Sequence, residues 1–523
     1  MINNQFVMCD ARSSRWTPLH LKGRLTVLGM LLMSGCAVGP DFKTPAPPAA
    51  MAYTPHSLPG QTAAAVDVDG AAQTFHSRQN IPQDWWTVFH SAKLNHLIEQ
   101  GLQASPDLAA AQAALQQAQE SVSAQRGYFY PSVALSYSPS RQQLAGNMGG
   151  NSPGIQGNGS VIQTYQNPGG PAPYNGPVIY TFHTAQLTVG YTPDVFGANM
   201  RQVESLQAQA DAQRFQLEAA RVTLASNLVA AALQEASLRA QLVACSTIID
   251  DSARSLAITM RQFQLGYVMR MDVAAQEAAL AAAQQLLPPL QKSLEQTRDL
   301  IRVLVGNTPD QDVDETFQMA DFQLPTALPL SLPSQLIRQR PDVRAAEAQM
   351  HAASANVGVA VAARLPQFSI MGAYGGEASV FNQMFQPGGP FWALVGNITQ
   401  PVFDGNTLLH RKRAADQALV QAAAQYHSTV LTALQNVADT LHALHADAAG
   451  LVAAVNAEQA ARISLNLTRT QNQVGYVSAQ AVLSAEQTYQ QADLNLIQAR
   501  SQRLGDTAAL YEALGGGWWK AQH

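Results

Sequence analysis

The chain has 523 residues, with 31 Lys and Arg against 36 Asp and Glu, which gives a formal net charge of −5. This mild acidic balance excludes the concentrated basic surface that is typical of nucleic-acid-binding proteins. Only 13% of the residues are charged, about half the usual share, while 47% are apolar. Alanine and uncharged polar residues make up the difference, a composition that is unlike that of a cytosolic enzyme.

Residues 1–35 have the features of a secretory signal peptide. Four basic residues precede a short apolar run at 25–33, far below the ~20 residues that a membrane-spanning helix needs. Cys36 follows Ser34-Gly35, as in the bacterial lipobox, which predicts that Cys36 carries N-palmitoyl and S-diacylglycerol groups; the alternative is an ordinary cleaved signal. Residue 37 is Ala, not the Asp that resembles an inner-membrane retention signal, so the predicted location is the outer membrane of a Gram-negative bacterium.

An internal duplication organises the rest of the chain. Pro106-Asp107-Leu108 begins an Ala- and Gln-rich helical stretch, and Pro341-Asp342-Val343 begins another of the same length. Two later motifs also recur, in the same order. They are Asp194-Val195-Phe196-Gly197 with Val402-Phe403-Asp404-Gly405, and Gly266-Tyr267-Val268 with Gly475-Tyr476-Val477. Each half is therefore predicted to run helix, strand, loop, strand, long helix, turn and helix.

Four strands are predicted, two in each half. Val133, Leu135 and Tyr137 alternate with small residues, and a second alternating run ends before Pro193. The Gly-, Asn- and Pro-rich residues 139–177 between them are predicted to form a long loop. Similar runs begin near residues 368 and 391. Strands of about ten residues with aromatic-rich ends have the length that crosses a membrane as tilted β-structure.

The long helices are predicted from heptad spacing. Residues 406–470 indicate one helix of about 65 residues, or roughly 100 Å, with a counterpart from 197 to 262. Apolar positions recur at steps of three and four residues, which favours coiled-coil packing. The positions in the second helix are Ala423, Tyr426, Val430, Leu434, Val437, Leu441, Leu444, Ala448, Leu451 and Val455.

Self-association is predicted from the number of strands. Four strands cannot close a barrel, and open strand edges are not tolerated in lipid. Two chains would supply eight strands, whose side chains fill the interior, whereas three would supply twelve and leave an opening. Helices of this length joined to a barrel would project from the membrane into the periplasm.

Several motifs together resemble the outer membrane factor lipoproteins, the TolC/OprM-like family and its NodT branch. They are Cys36-Ala37-Val38-Gly39-Pro40-Asp41-Phe42, Asp84-Trp85-Trp86-Thr87-Val88-Phe89, Ser105-Pro106-Asp107-Leu108 and the duplicated motifs above. The resemblance implies an α+β membrane protein: a homotrimer whose twelve-stranded β-barrel, four strands per chain, continues into a long periplasmic α-helical coiled-coil tunnel.

The resemblance and the duplication together suggest six segments. They are the lipoprotein signal peptide at 1–35, a lipid-anchored equatorial segment at 36–105, the first repeat at 106–305, an equatorial linker at 306–340, the second repeat at 341–514 and a C-terminal tail at 515–523.

The resemblance also assigns roles to the turns between the long helices. These turns would be periplasmic tips that dock the hairpins of an adaptor protein; their residues are Leu265, Gly266, Tyr267, Val474, Gly475 and Tyr476. The family often has acids at its pore constriction, where this chain has Asn466 and Arg469. These two are predicted to close the pore through polar pairing between helices, or else to be solvated tunnel residues. Asp272 is a further candidate, with a structural role as its alternative.

No metal, cofactor or catalytic site is predicted, apart from the lipid on Cys36. His442 and His445 lie three residues apart, but no third ligand is evident nearby, so they are interpreted as polar positions. The pairs Trp85-Trp86 and Trp518-Trp519 are interpreted as equatorial packing residues. The sequence contains no Walker-type loop and no nucleophile elbow, so the protein is predicted not to be an enzyme.

The predicted function is that of a passive exit duct of a tripartite efflux pump that exports drugs or other small molecules. Its predicted partners are two further copies, outer membrane lipids, a periplasmic adaptor, and an inner-membrane transporter of the resistance-nodulation-division or major-facilitator class; no nucleic acid is expected. Two alternatives are a duct for type I protein secretion and a lipid-anchored coiled-coil scaffold without a pore.

Overall fold

A computed structural model describes residues 37–46, 52–77, 81–144 and 178–520. Contacts between residues divide the chain into two units. The first contains the residues up to Pro40, Gln125–Gln202 and Val357–Lys412. The second contains Asp41–Ala124, Val203–Asn356 and Arg413–His523. Cys36 and the signal peptide at 1–35 lie outside the described residues, so their predicted roles stay predictions.

The described residues form eight α-helices, and two pairs of them have matching lengths. The helices are α1 Ala92–Ala104, α2 Pro106–Arg126, α3 Ala198–Gln264, α4 Arg270–Leu304, α5 Pro333–Gln339, α6 Pro341–Ala362, α7 Thr407–Gln473 and α8 Ala479–Ala513. Helices α3 and α7 each have 67 residues, and α4 and α8 each have 35. The predicted internal duplication is thereby confirmed. Among the described residues, none of these helices is both long and apolar enough to cross a membrane.

In the part of the chain that the structure describes, six strands form two sheets. The strands are β1 Thr74–Ser77, β2 Ser132–Leu144, β3 Val178–Tyr191, β4 Ala327–Leu330, β5 Gln367–Ala378 and β6 Pro390–Thr399. The first unit contains an antiparallel sheet in the order β2-β3-β5-β6, and the second contains the parallel pair β1-β4. The sheet of four strands leaves β2 and β6 as open edges.

Residues 139–144, which were predicted to belong to the loop 139–177, form part of strand β2. Strand β2 continues to Leu144, where it pairs with Val178, and Pro139 lies opposite His183. The polar residues at 140–143 show no alternation of hydrophobicity, yet they pair with β3. Pairing of the backbone does not depend on side-chain polarity, so a partner strand extends β2 beyond the point where the pattern fades. Residues 145–177 lie outside the described part of the chain.

The duplicated Val-Phe motifs form the junctions between strands and long helices. In the first repeat, the Asp194 carboxylate accepts hydrogen bonds from the backbone N–H groups of Asn199 (3.0 Å) and Met200 (2.8 Å) at the start of α3. In the second, the Asp404 carboxylate accepts one from Leu408 (2.8 Å). The first turn of a helix has N–H groups without partners inside the helix, so each Asp stabilises the start of one long helix.

Helix α7 buries the stripe that the heptad spacing predicts. Eight of the ten predicted positions are buried, and Ala423 and Leu434 are half-buried. Apolar residues on the other faces of the same helix, such as Leu431 and Leu467, remain exposed. One face of α7 therefore packs within the chain, and the others carry apolar surface that a single chain leaves uncovered.

The largest hydrophobic core of the second unit combines residues 81–98 with α3, α7, α8 and residues 301–336. Trp85 is fully buried and stacks on Tyr511, with ring centroids 5.5 Å apart and the planes 9° from parallel. Trp518 is buried against Phe215. Both tryptophan pairs thus contribute to packing in this unit.

Residues 62–73 are fixed to α8 by two arginines. The Arg500 guanidinium pairs with the Asp67 carboxylate at a partly exposed position. Arg503 is fully buried and donates hydrogen bonds to four acceptors in the segment. They are Ala71 O (2.7 Å), Asp69 O (3.2 Å), Thr62 Oγ1 (3.2 Å) and Gln73 Oε1 (3.4 Å).

Candidate functional site

The six residues predicted to form tips lie in two turns, one between the long helix α3 and its return helix α4, and one between the long helix α7 and its return helix α8. Gly266 (φ +79°) follows α3, and Gly475 (φ +82°) follows α7. In each turn the N–H of the residue after glycine donates to a carbonyl five residues earlier, at 2.9 Å: Tyr267 to Gln262, and Tyr476 to Gln471. This bond and the left-handed glycine are the Schellman arrangement that ends a helix.

The side chains next to these glycines point into solvent. Leu265, Tyr267, Val474 and Tyr476 are each more than 60% exposed. Each turn thus exposes apolar and aromatic side chains that a protein partner could bury. The glycines themselves are open, because an added Cβ at Gly266 or Gly475 would meet no atom within 4 Å.

Asp272 has a local role at the start of α4. Its carboxylate accepts a hydrogen bond from the Met269 N–H at 2.9 Å, across the N-terminus of the helix. In the second repeat, the Ser478 hydroxyl accepts from the Ala481 N–H at 3.3 Å at the equivalent helix start. The two repeats therefore begin their return helices with different capping side chains.

Arg469 lies in an ion cluster that joins three helices. Its Nη2 is 3.0 Å from Glu486 Oε1 on α8 and 3.3 Å from Asp251 Oδ2 on α3, while Arg469 itself is on α7. The Glu486 side chain is almost fully buried, and that of Arg469 is 39% exposed. Burial lowers the pKa of Arg469, but the two carboxylates outweigh it and keep the pKa above its ordinary value.

The cluster borders a cavity of about 550 Å³ between α3, α7, α8 and residues 318–320. Three further charged residues belong to its wall: Arg239 on α3, and Asp493 and Arg500 on α8. Burial raises the pKa of Asp493, against the opposing charge of Arg500. Asn466 does not belong to this cluster: its side chain is exposed, and its backbone carbonyl accepts a hydrogen bond from Thr470.

The carboxylates that pair with Arg469 could not be found from sequence alone. Glu486 repeats Glu277 of the first half, but Glu277 pairs with Arg270 of its own helix at 3.1 Å, so the duplication suggests a different partner. Asp251 is 218 residues away from Arg469 in the chain. No local pattern connects residues so far apart.

The histidine pair shows packing rather than coordination. The His445 ring lies 5.5 Å from the Phe75 ring, and burial together with the neighbouring His442 lowers its pKa. Nε2 of His445 is buried and has no hydrogen-bond partner among the described residues. Within the same part of the chain, no group of three or more His, Cys, Asp or Glu side chains could hold a metal ion.

Comparisons with known proteins agree with this architecture. Residues 97–307 and 332–516 match the sequence profile of the family described as outer membrane efflux protein. The chain is 28% identical over 447 residues to the pyoverdine export outer membrane protein OpmQ of Pseudomonas putida, covering 85% of this chain and 90% of that one. It is 27% identical over 499 residues to the toluene efflux pump outer membrane protein TtgC of Pseudomonas putida, covering 94% of each chain.

A solved structure has the same fold. The outer-membrane channel OprN superposes with a TM-score of 0.77 at 27% identity, covering 92% of this chain and all of that one.

Proposed function

Because this chain belongs to the outer membrane efflux protein family, we propose that three copies of it form one channel. Strands β2 and β6 are the open edges of the sheet, and their unpaired backbone groups would be costly in lipid. Since the strand directions alternate, β6 of one copy can pair antiparallel with β2 of the next. Twelve strands can then close into a barrel that leaves an opening, in keeping with the outer-membrane channels among the structural neighbours.

The predictions of an α+β channel fold, of an outer-membrane location and of a role as an efflux duct are confirmed by the family match and the relatives. The observation that carries the function is the direct junction, in both repeats, of two membrane-length strands with a 67-residue helix. Strands of this length can cross a membrane as tilted β-structure. This arrangement favours a duct over the scaffold without a pore, and the family favours efflux over protein secretion.

The finer assignments concern the partners. We propose that the two turns at Gly266 and Gly475 dock a periplasmic adaptor, which connects the duct to an inner-membrane transporter of the resistance-nodulation-division or major-facilitator class. The exposed apolar side chains of these turns support this assignment. We also propose that Cys36 carries the lipid anchor. A Cys36→Ala variant that is recovered with soluble periplasmic proteins before it assembles into the channel would support this proposal.

The ion cluster of Arg469 is proposed as the closure of the pore. Arg469 is near the tip of α7, six residues before Gly475, and it holds α7 to α8 and α3 through Glu486 and Asp251. Opening the tip requires these helices to separate, so the cluster stabilises the closed state. Adaptor contact at the neighbouring turns would supply the energy to break it.

The test is the single-channel conductance of purified trimers in planar bilayers. The variant Arg469→Ala should raise conductance severalfold over the wild type. Arg462→Ala is the matched control, because Arg462 is on the same helix two turns earlier and, among the residues that the structure describes, its ion pair is with Glu458 of that helix at 3.7 Å. Equal conductance for all three proteins would contradict closure by this cluster, and an absence of conductance in all three would contradict the channel itself.

A further inference from the structure

A second cavity of the same unit lies far from the ion cluster. It measures about 600 Å³ and is formed by the segment Thr44-Pro45, α3, the residues 337–347, α7 and the C-terminal Trp518-Trp519. Tyr426, its contribution from α7, is 43 residues before Arg469 and therefore about 65 Å from it along the helix. The cavity is thus separate from the proposed closure of the pore.

The wall of this cavity carries an excess of positive charge. Three arginines, Arg214, Arg338 and Arg344, face one acid, Glu347. Arg344 pairs with Glu347 at 2.8 Å, so that acid is already neutralised. Arg214 has only a long contact of 3.9 Å with Asp211, and Arg338 is exposed with no ion pair or hydrogen bond from its side chain within the described residues. Two guanidinium groups therefore remain available, in a chain whose net charge is −5.

The floor of the cavity is aromatic and almost closed to water. Phe215, Ile337 and Trp518 are each less than 9% exposed. The guanidinium carbons of Arg214 and Arg344 lie 4.9 and 5.2 Å from the centre of the Phe215 ring, close enough for cation–π contact. Positive charge and flat apolar surface thus lie next to each other in this wall.

Tyr426 adds a further aromatic ring to this floor, and the residue is 8% exposed. Its hydroxyl is a proton donor at neutral pH, and burial raises its pKa further. A phenol hydroxyl in the wall of the cavity can donate a hydrogen bond to an oxygen of an anionic ligand.

We propose that this cavity binds a small organic anion, a carboxylate or phosphate on a flat apolar body. The anionic group would be held by Arg338 and Arg214, whose planar guanidinium groups match such oxygens. The apolar body would lie on the Phe215, Tyr426 and Trp519 rings. The volume is within the 300–1,000 Å³ range typical of small-molecule sites. A cation is disfavoured by the charge, and a neutral apolar molecule would leave the guanidinium groups partly desolvated without a counter-charge.

Bound ligand would connect five separate parts of the second unit, from Thr44 near the start of the mature chain to Trp519 near its end. The site therefore offers a way for a small anion to stabilise the region where these segments meet. This goes beyond the role as a duct and does not depend on the state of the pore.

The probe is 2-naphthoate, titrated calorimetrically into the purified full chain in a non-ionic detergent. The neutral isostere 2-naphthylmethanol is the comparison ligand. We expect naphthoate to bind at least tenfold more tightly than the alcohol. Arg338→Gln and Arg214→Gln should each weaken naphthoate binding fivefold or more, while Arg221→Gln should not change it. Arg221 is the matched control, because it is an equally exposed arginine on α3 that pairs with Glu218 outside the cavity.

Three outcomes would overturn the proposal. Equal affinity for the acid and the alcohol would show an apolar pocket with no preference for anions. Unchanged binding in both arginine variants would place the ligand elsewhere. Binding of dihexanoyl phosphatidylglycerol without binding of naphthoate would assign the cavity to a lipid headgroup instead of a flat organic acid. Both substitutions are at exposed positions, and unchanged circular dichroism of the variants would exclude misfolding as the cause of lost binding.

Discussion

Replacing Arg503 with Leu should release residues 62–73 from α8 without unfolding the helices. The substitution removes the donor of two buried acceptors, Thr62 Oγ1 and Gln73 Oε1. It also leaves the partly buried backbone carbonyls of Asp69 and Ala71 without their donor. Each unsatisfied buried acceptor costs about 1–3 kcal/mol. Part of this cost is offset, because keeping a guanidinium buried is itself unfavourable, as the lowered pKa of Arg503 shows. The net expectation is about 2–3 kcal/mol, or roughly 30- to 150-fold more frequent opening of the segment.

Hydrogen exchange of two backbone amides reports this opening directly. The Thr62 N–H donates to Gln73 O at 2.9 Å, and the Gln73 N–H donates to Thr62 Oγ1 at 3.0 Å. Because Arg503 donates to the side-chain oxygens of both residues, both amides should lose protection when the contact with Arg503 is lost. Peptides from the middle of α7 serve as the internal reference and should exchange at the same rate in both proteins.

The matched control is Arg500→Leu, the same change one turn earlier on the same helix. Arg500 also holds the segment, through Asp67, but its side chain is 27% exposed. Water can replace a partly exposed ion pair, so the loss of protection should stay below about tenfold. If the two substitutions lowered protection equally, or if Arg503→Leu left protection unchanged, the conclusion that the buried Arg503 is the main anchor of residues 62–73 would be wrong.

Two further predictions concern protonation and backbone conformation. Burial is the largest cause that raises the pKa of Asp447, followed by the hydrogen bond and the charge of Asp506, and the pKa reaches about 7. The folded protein therefore binds more protons than the unfolded chain between about pH 4 and 7. The free energy of unfolding should fall as pH rises from about 4 to 7. Asp447→Asn should flatten this dependence in thermal melts followed by circular dichroism, and an unchanged slope would contradict the assignment to Asp447. An added Cβ at Gly475 or at Gly450 would meet no atom within 4 Å, so only backbone conformation distinguishes the two positions. Gly475→Ala should destabilise the turn by about 1–2 kcal/mol, because φ is +82°. Gly450→Ala within α7 should stabilise the protein by up to about 1 kcal/mol, because alanine favours a helix more than glycine does. Melting temperatures that shift in the same direction for both alanine variants would refute the conformational argument.

The parts of the fold that follow from local rules could be predicted from sequence. Val430, Val437 and Leu444 are buried because the heptad step places them on one face, and that step is visible in ten residues. The turns were also predictable, since a Gly-Tyr-Val motif that recurs between two helical stretches is a local signal. The end of β2 was not predictable, because residues 140–143 join the sheet through β3, not through their own pattern.

The contacts of the candidate sites follow from tertiary structure. Arg469 could be singled out by its place before Gly475, but Asp251 reaches it only because α3 and α7 lie side by side. The cavity with the three arginines is formed by five separate segments of the chain. Its charged and aromatic residues therefore do not form a pattern that a short stretch of sequence could reveal. Asp272 differs from Arg469: its position after the first turn made it a candidate for the pore constriction, but its carboxylate makes a local capping hydrogen bond at the start of α4.

The equal lengths of α3 and α7 restrict how this protein can change over generations. Each residue inserted into a helix lengthens it by about 1.5 Å and rotates everything beyond it by about 100°. A single-residue insertion in one repeat would therefore displace its turn relative to the other turn, and it would also rotate the side chains of that turn to a different direction. Inserting seven residues restores the direction but adds about 10 Å, so it also has to occur in the other repeat. Gene variants of this duct should accordingly change helix length in pairs and by whole heptads, while single-residue insertions gather in the loops between strands.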